Sequence, residues 1–139
     1  MRLHSVVRLV GAISLGVWLG GCGDATTVNG NHPGTATVSL LSANANDGAI
    51  AMTVRGPGLS TATALDSSHT VFSRLASPTE LKVIVLGSSI GPGPLFSLPV
   101  GAGDRPDAYT VSIDQVAMLS DSLRADISGY QASLAGPPN

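Results

Sequence analysis

The chain has little cysteine, little charge and few aromatic residues, and each shortage excludes a class of protein. One cysteine among 139 residues excludes an intramolecular disulfide framework and any metal site with several cysteine ligands. Seven basic residues, spread singly along the chain and outnumbered by nine acidic ones, exclude an electrostatic nucleic-acid interface, which needs a clustered basic face. Aromatic residues at 4% leave few platforms on which a sugar could stack.

Long apolar runs are also missing, apart from one near the start of the chain. That run, Leu9–Leu19, follows Arg2 and Arg8 and is eleven residues long. Since a membrane-spanning helix needs about 20 apolar residues, the run is too short to span and instead fits the core of a secretory signal peptide. We therefore expect a helical signal peptide at residues 1–21.

The run closes on Leu19-Gly20-Gly21-Cys22, which resembles the lipobox of bacterial lipoproteins. The resemblance implies cleavage between Gly21 and Cys22, attachment of lipid to the sulfur of Cys22, and acylation of the new amino terminus with a chain such as palmitate. Several acyl chains anchor a protein stably, where one holds it only marginally. The alternatives are an ordinary signal peptide followed by a chance free cysteine, or a short membrane anchor that is retained.

The residues after the cysteine bear on localisation. In envelopes that sort lipoproteins, Asp directly after the cysteine is the usual retention signal, whereas here Gly23 follows and Asp24 comes one place later. The lipobox resemblance thus implies an extracytoplasmic, membrane-anchored protein, at the outer membrane rather than the inner one. Residues 22–34 are polar and glycine-rich, which is typical of a flexible tether with a reach of roughly 20 Å, and residues 135–139 are typical of a frayed tail.

Residues 35–134 carry the pattern of an all-β domain. Apolar residues recur there with period two and turn residues interrupt them every 8 to 12 positions, which predicts an antiparallel β-sandwich of seven to nine short strands, immunoglobulin-like or jelly-roll. Leu81–Leu86 is the densest apolar run and is predicted to be a central strand buried on most of both faces. The prolines that bracket Pro94–Pro99 favour an edge strand. Gln115–Arg124 stays open between a short helix or turn and a loop with strand continuation.

Three segments carry a wider resemblance: TATVSLLSANANDGAIAMTVRGPG from residue 35, TELKVIVLG from residue 79 and AYTVSIDQV from residue 108. Their order resembles cohesin-like and other immunoglobulin-like extracellular β-sandwich modules. The resemblance implies a flat docking face built by a later pair of strands.

Residues for catalysis are scarce. His69 could serve as a base and Glu80 is the single glutamate, but no G-x-S-x-G elbow is present, and nucleophilic catalysis needs a nucleophile, a base and an orienting acid together. The nine acidic residues lie in or beside predicted turns, where solvated caps are expected. Tyr109 and Tyr130 fall at positions that predict burial. We therefore expect no enzymatic activity.

Two polar loops are the candidates for a metal site. Asn44, Asn46 and Asp47 bring three oxygen-bearing side chains into one turn, and Asp104 with Asp107 forms a second acidic loop. Hard cations such as calcium take about six to eight oxygen ligands from loops of this kind. Neither loop matches the EF-hand pattern, and Asn-Asp-Gly is also ordinary tight-turn chemistry. Calcium is therefore the one cofactor left open.

The sequence thus predicts a lipid-anchored envelope protein whose non-enzymatic β-sandwich contacts another protein or has a structural role. Its partners would be membrane lipid, through acylated Cys22, and an envelope protein that binds an exposed apolar patch or an unpaired strand edge. Nucleic acid is excluded. The alternative is a module that binds calcium or another ligand, such as a glycan.

Overall fold

Eight antiparallel strands in two four-stranded sheets build the part of the chain that the computed structural model describes, residues 31–137. The strands are β1 Gly34–Leu41, β2 Asp47–Arg55, β3 Thr63–Ala64, β4 His69–Ser77, β5 Glu80–Ile90, β6 Gly93–Val100, β7 Thr110–Met118 and β8 Gln131–Ala135. The first sheet has the order β3-β6-β1-β8 and the second has the order β4-β5-β2-β7. The predicted all-β sandwich of seven to nine strands is confirmed.

The predictions for the signal peptide and for Gly21 and Cys22 lie outside the described residues. Within residues 31–137, no helix has the length and apolar character needed to cross a membrane. The single helical element there is a short 3₁₀ turn at Pro106–Ala108.

The core lies between the two sheets and follows from the period-two pattern of the strands. In a strand, successive side chains point to opposite faces, so alternate apolar positions enter the core together. The largest side chains that are wholly buried are those of Phe96, Ile50, Met52, Leu81, Ile90, Leu95, Leu98, Val38, Val54, Val83, Val85 and Val116. Tyr109 and Tyr130 are buried as well, as their positions predict.

Strand β5 corrects one expectation. It is central, between β4 and β2, but it is buried on one face only: Val83 and Val85 are 1% and 0% exposed, whereas Ile84 and Leu86 are 45% and 39% exposed. The continuous apolar run Leu81–Leu86 predicted that both faces of the strand would be buried. No described element packs on the outer side of the second sheet, so the alternate residues of β5 face solvent.

Strand β6 corrects a second expectation, because it lies inside its sheet rather than at an edge. It pairs with β1 along its length and with β3 at Ser97 and Phe96 only. Pro94 and Pro99 both lie outside the short stretch that β3 covers. Because β3 does not extend to these two positions, no ladder hydrogen bond to β3 requires an N–H group there. The strand therefore tolerates both prolines although it lies inside the sheet.

The open alternative at Gln115–Arg124 is decided in favour of strand continuation. Strand β7 runs to Met118, a turn follows, and Leu123 forms an isolated bridge to Ala117. A helix would need Val116, Leu119 and Leu123 on one buried face. Val116 is 1% exposed, but Leu119 and Leu123 are 53% and 61% exposed. The two leucines therefore do not share a buried face with Val116.

The two ends of the sandwich differ in what they hold. The chain enters β1 at Gly34, which pairs with Val100 of β6, and the amide of Gly101 donates to the carbonyl of Pro57 directly after β2. We call this the tether end. At the far end, the loop 42–46 meets the turn after β7, where the amide of Leu119 donates to the carbonyl of Asn46.

Candidate interaction face

The outer face of the second sheet is built from three rows of side chains, each row crossing all four strands. Strand register defines each row, since directly paired residues point to the same face. From the far end toward the tether end, the rows are Thr70, Leu86, Ala49 and Ala117; then Phe72, Ile84, Ala51 and Gln115; then Arg74, Lys82, Thr53 and Ser112. We call these twelve residues the outer face.

The two rows nearer the far end, together with Leu119 and Leu123, form what we call the apolar half. Residues 31–137 expose eight large hydrophobic side chains, and five of them lie in this half: Phe72, Ile84, Leu86, Leu119 and Leu123. Single exposed hydrophobic residues are ordinary on a protein surface, whereas a large contiguous patch is typical of an interaction site. The clustering of five such residues makes the apolar half the candidate site.

The surface of the apolar half is uneven, because small residues on β2 and β7 lie beside large ones on β5. Ala49, Ala51 and Ala117 form the floor of shallow depressions. One has a volume of about 430 Å³, with Leu86 and Leu119 among its walls. A second, of about 220 Å³, lies between Ile84, Gln115 and Leu123. The face therefore has a ridge along β5 and a furrow along β2.

The row nearest the tether end is charged, with opposite signs at its two edges. The Lys82 ammonium donates to Thr53 Oγ1 at 2.6 Å and lies 3.4 Å from Asp114 Oδ2, which also accepts from the Thr53 hydroxyl at 2.6 Å. Arg74, on the edge strand β4, makes no ion pair within residues 31–137. The row is thus cationic on the β4–β5 side and anionic on the β7 side.

Asp114 also corrects the expectation that every acidic residue would lie in or beside a turn. It lies within β7, at a register shift where Ala51 pairs with Gln115 and Met52 pairs with Ile113. A bulge of this kind places one extra residue in the strand. The extra residue here carries the carboxylate to the outer face.

The predicted loop Asn44, Asn46 and Asp47 is brought together, but around an arginine. Asp47 is wholly buried; its Oδ1 accepts from Arg124 Nε at 2.6 Å and its Oδ2 accepts from the Tyr130 hydroxyl at 2.6 Å. Asn46 Oδ1 accepts from Arg124 Nη2 at 2.8 Å, and Asn44 Nδ2 donates to the Tyr130 oxygen at 2.9 Å. The prediction of a solvated cap is therefore wrong for Asp47.

This cluster fastens the segment that carries part of the apolar half. Burial, followed by the hydrogen bond to Asp47, raises the pKa of the Tyr130 phenol, so the hydroxyl remains a donor. The Arg124 guanidinium also lies over the Tyr130 ring, 5.9 Å from its centroid. Because Arg124 directly follows Leu123, the ion pair to Asp47 holds that leucine against the second sheet.

The second predicted loop lies at the opposite end of the sandwich. Asp104 Oδ1 accepts from the backbone amide of His32 at 3.2 Å, and the exposed Asp107 lies 3.9 Å from Arg105. These residues follow β6 at the tether end, whereas the Asn44–Asp47 loop follows β1 at the far end. Within residues 31–137, no three side chains of His, Cys, Asp or Glu gather closely enough to hold a metal ion.

His69 and Glu80 are also far apart along the second sheet. His69 pairs with Gly87 near the far end, while Glu80 pairs with Arg55 near the tether end and accepts from its Nε at 2.9 Å. The Nδ1 atom of His69 is buried without a hydrogen-bond partner in the described part of the chain. The carboxylate of the neighbouring Asp66 accepts from the Ser68 amide, which lowers its pKa.

The residues of the apolar half were not identified by sequence reasoning. In β4, the alternation of Val71 and Ser73 with Phe72 and Arg74 leaves the inward face undetermined. In β5, apolar residues occupy both faces, so the sequence pattern does not show which face is buried. Comparisons with protein-family models, with curated proteins and with solved structures found no match. The functional interpretation therefore depends on the geometry of the chain itself.

Proposed function

We propose that this chain is a lipid-anchored protein of the cell envelope, without enzymatic activity, whose β-sandwich binds protein through the apolar half of the outer face. The observation that carries the proposal is the clustering there of five of the eight exposed large hydrophobic side chains of residues 31–137. Full burial of one such side chain is worth about 1.5–3 kcal/mol. A partner that covers several of them gains enough to bind.

The position of the apolar half supports contact with a protein rather than with the membrane that would hold the anchor. Lipid on Cys22 would reach the domain through the tether, which enters β1 at the tether end. Along β5, four residues separate Lys82 in the charged row from Leu86, a distance of about 13 Å toward the far end. The patch thus lies toward the end of the domain that is farther from the attachment point of the tether.

Affinity capture from solubilised envelope tests the binding role. The bait is the chain from Gly23, since the hydrophobic core comes wholly from residues 36–134. Two variants are compared with it: Ile84→Lys, in the apolar half, and Leu65→Lys, at an equally exposed leucine outside it. We expect a saturable protein partner that the first variant loses and the second keeps.

Two results would contradict this role. A partner that both variants retain would place binding elsewhere on the domain. A partner that appears only with calcium would favour the alternative of a calcium-dependent module, with Asn44–Asp47 and Asp104–Asp107 as the candidate calcium loops.

The anchor is tested at Cys22, because the proposal depends there on the lipobox sequence. Cys22→Ala should leave an unprocessed precursor and abolish incorporation of labelled palmitate. Unchanged processing and unchanged membrane fractionation would overturn the lipoprotein assignment, whatever the capture experiment shows.

A further inference from the structure

We infer that the partner which covers the outer face is a second copy of this chain, packed face to face about a two-fold axis that runs parallel to the strands. This inference rests on the proposed function and names its partner. It is supported by the shape, the charge and the area of the outer face and by the direction of the tether.

Shape favours this arrangement because the face is self-complementary about its midline. A two-fold axis along the strands, between β5 and β2, places β5 of one copy over β2 of the other. Ile84 then lies over the partner's Ala51, and Leu86 lies over the partner's Ala49. The ridge along β5 enters the furrow along β2 twice, once from each copy, as side chains do when two sheets pack about 10 Å apart.

Charge favours the same axis. It places the cationic edge strand β4 over the partner's β7, in the same row. Arg74, which makes no ion pair within residues 31–137, then faces the partner's Ser112, whose hydroxyl lies 3.5 Å from the carboxylate of Asp114 in the same copy. Arg74 would thus gain an acidic neighbour, twice per pair of copies.

The other face-to-face two-fold axis, which runs across the strands, fails on both counts. It would stack β5 on the partner's β5, ridge against ridge. It would also press the apolar half against the partner's charged row, and Lys82 and Asp114 would then lose water without gaining partners, which is costly. Of these two axes, the one parallel to the strands is therefore favoured.

The area is sufficient for a specific contact. Strands about 4.8 Å apart and rising about 3.3 Å per residue give four strands of nine residues a face of about 19 by 30 Å. Two copies that cover the whole outer side of this sheet would together bury about 1,100 Å², just above the 1,000 Å² or so that separates specific interfaces from incidental ones. An interface of this size lies at the small end of specific protein contacts.

The direction of the tether agrees as well. An axis parallel to the strands keeps the tether ends of both copies at the same end of the pair, so both lipid anchors can enter one membrane. Anchoring in one membrane raises the effective concentration of the copies, so that an interface of modest affinity can still hold a dimer together. The axis across the strands would direct the two anchors in opposite directions.

Sedimentation velocity on the chain from Gly23, up to about 1 mM, tests the inference. We expect a monomer–dimer equilibrium that Ile84→Lys weakens by about 100-fold or more, since each dimer carries the change twice. Leu65→Lys should leave the equilibrium unchanged. Both variants should melt within a few degrees of the parent, because both side chains are exposed in the monomer.

A charge exchange tests the axis itself. Arg74→Glu should weaken the dimer about tenfold, and adding Ser112→Lys in the same chain should restore it. Within one copy these residues lie on opposite edge strands, about 14 Å apart, so rescue reports a contact between copies. Weakening without rescue would overturn the arrangement.

The remaining outcomes separate this inference from the proposed function. A chain that stays monomeric throughout, yet captures an envelope protein through Ile84, overturns the second copy and leaves the proposed function standing. A monomer that captures nothing overturns both. A dimer that Ile84→Lys does not affect, or binding of the face to vesicles of phosphatidylethanolamine and phosphatidylglycerol, also overturns the inference.

Discussion

The outer surfaces of the two sheets differ in chemistry, although both sheets have four antiparallel strands. The outward positions of the first sheet are mainly hydroxyl and amide side chains, with one exposed apolar residue, Leu41, at the far end: the polar residues are Thr35, Thr37, Ser39, Ser97, Gln131 and Ser133. The corresponding positions of the second sheet include Phe72, Ile84 and Leu86, all at least 39% exposed. The same architecture thus carries one face suited to water and one suited to a partner.

This difference shows that the apolar half is not a by-product of an apolar composition. Strand β1 of the first sheet alternates clearly over most of its length, with Ala36 and Val38 buried between the outward hydroxyl residues Thr35, Thr37 and Ser39. A chain able to make that face could also have placed threonine at position 84. The second sheet instead keeps apolar residues where water would otherwise lie, which is expected of a surface that another molecule covers.

The largest expected effect concerns the ion pair that holds one wall of the apolar half. Arg124→Met removes the partner of Asp47, which is wholly buried, and an uncompensated buried charge costs about 3–5 kcal/mol. Chemical unfolding in urea measures this loss of unfolding free energy. The control is Arg74→Met, an exposed cation without an ion pair in residues 31–137, for which we expect a change within about 0.5 kcal/mol. Equal losses of unfolding free energy in the two variants would show that the ion pair between Arg124 and Asp47 does not stabilise the fold.

A smaller effect is expected at Tyr130, with a defined dependence on pH. Tyr130→Phe removes a hydrogen bond to a charged group, worth about 1.5–3 kcal/mol at neutral pH. The folded pKa of the phenol is raised above its usual value of 10.0, so its contribution is complete below that value and is lost as pH rises through the folded pKa. The gap between wild type and variant should therefore narrow above pH 10. A constant gap would contradict this.

The smallest effect on stability comes from a direct comparison of the two outer faces. Ile84→Thr and Thr37→Val exchange an apolar and a hydroxyl side chain on the second and the first sheet, and each should change the unfolding free energy by less than about 1 kcal/mol. Fluorescence of a dye that binds apolar surface should fall for Ile84→Thr and stay constant for Thr37→Val. Similar responses from both variants would remove the contrast between the faces.

Much of the fold could be predicted from the sequence, because period-two alternation is a local signal. Strands β1, β2 and β7 show it clearly, and their inward residues are those that the structure buries. The face of β5 could not be predicted, since Leu81–Leu86 is apolar at nearly every position. Its exposure depends on whether another layer covers the sheet, which no local pattern records.

The candidate face and the buried cluster needed the three-dimensional fold for a similar reason. Asp47 and Arg124 are 77 residues apart in the sequence, and the residues around Asp47 do not predict that it pairs with an arginine. The row of Phe72, Ile84 and Ala51 depends on the register of three strands, which the sequence does not specify. The calcium hypothesis for Asn44–Asp47 stays a prediction, and the guanidinium that the cluster holds gives the loop another explanation.

The position of β1 has a mechanical consequence. The chain enters this strand at Gly34, and β1 is hydrogen-bonded along its sides to β6 and to β8, both antiparallel. A force applied between an anchored amino terminus and a partner on the second sheet would pull along β1. Its bonds to both neighbours would then be sheared together instead of being opened one at a time, so the domain should resist unfolding by a force applied in that direction.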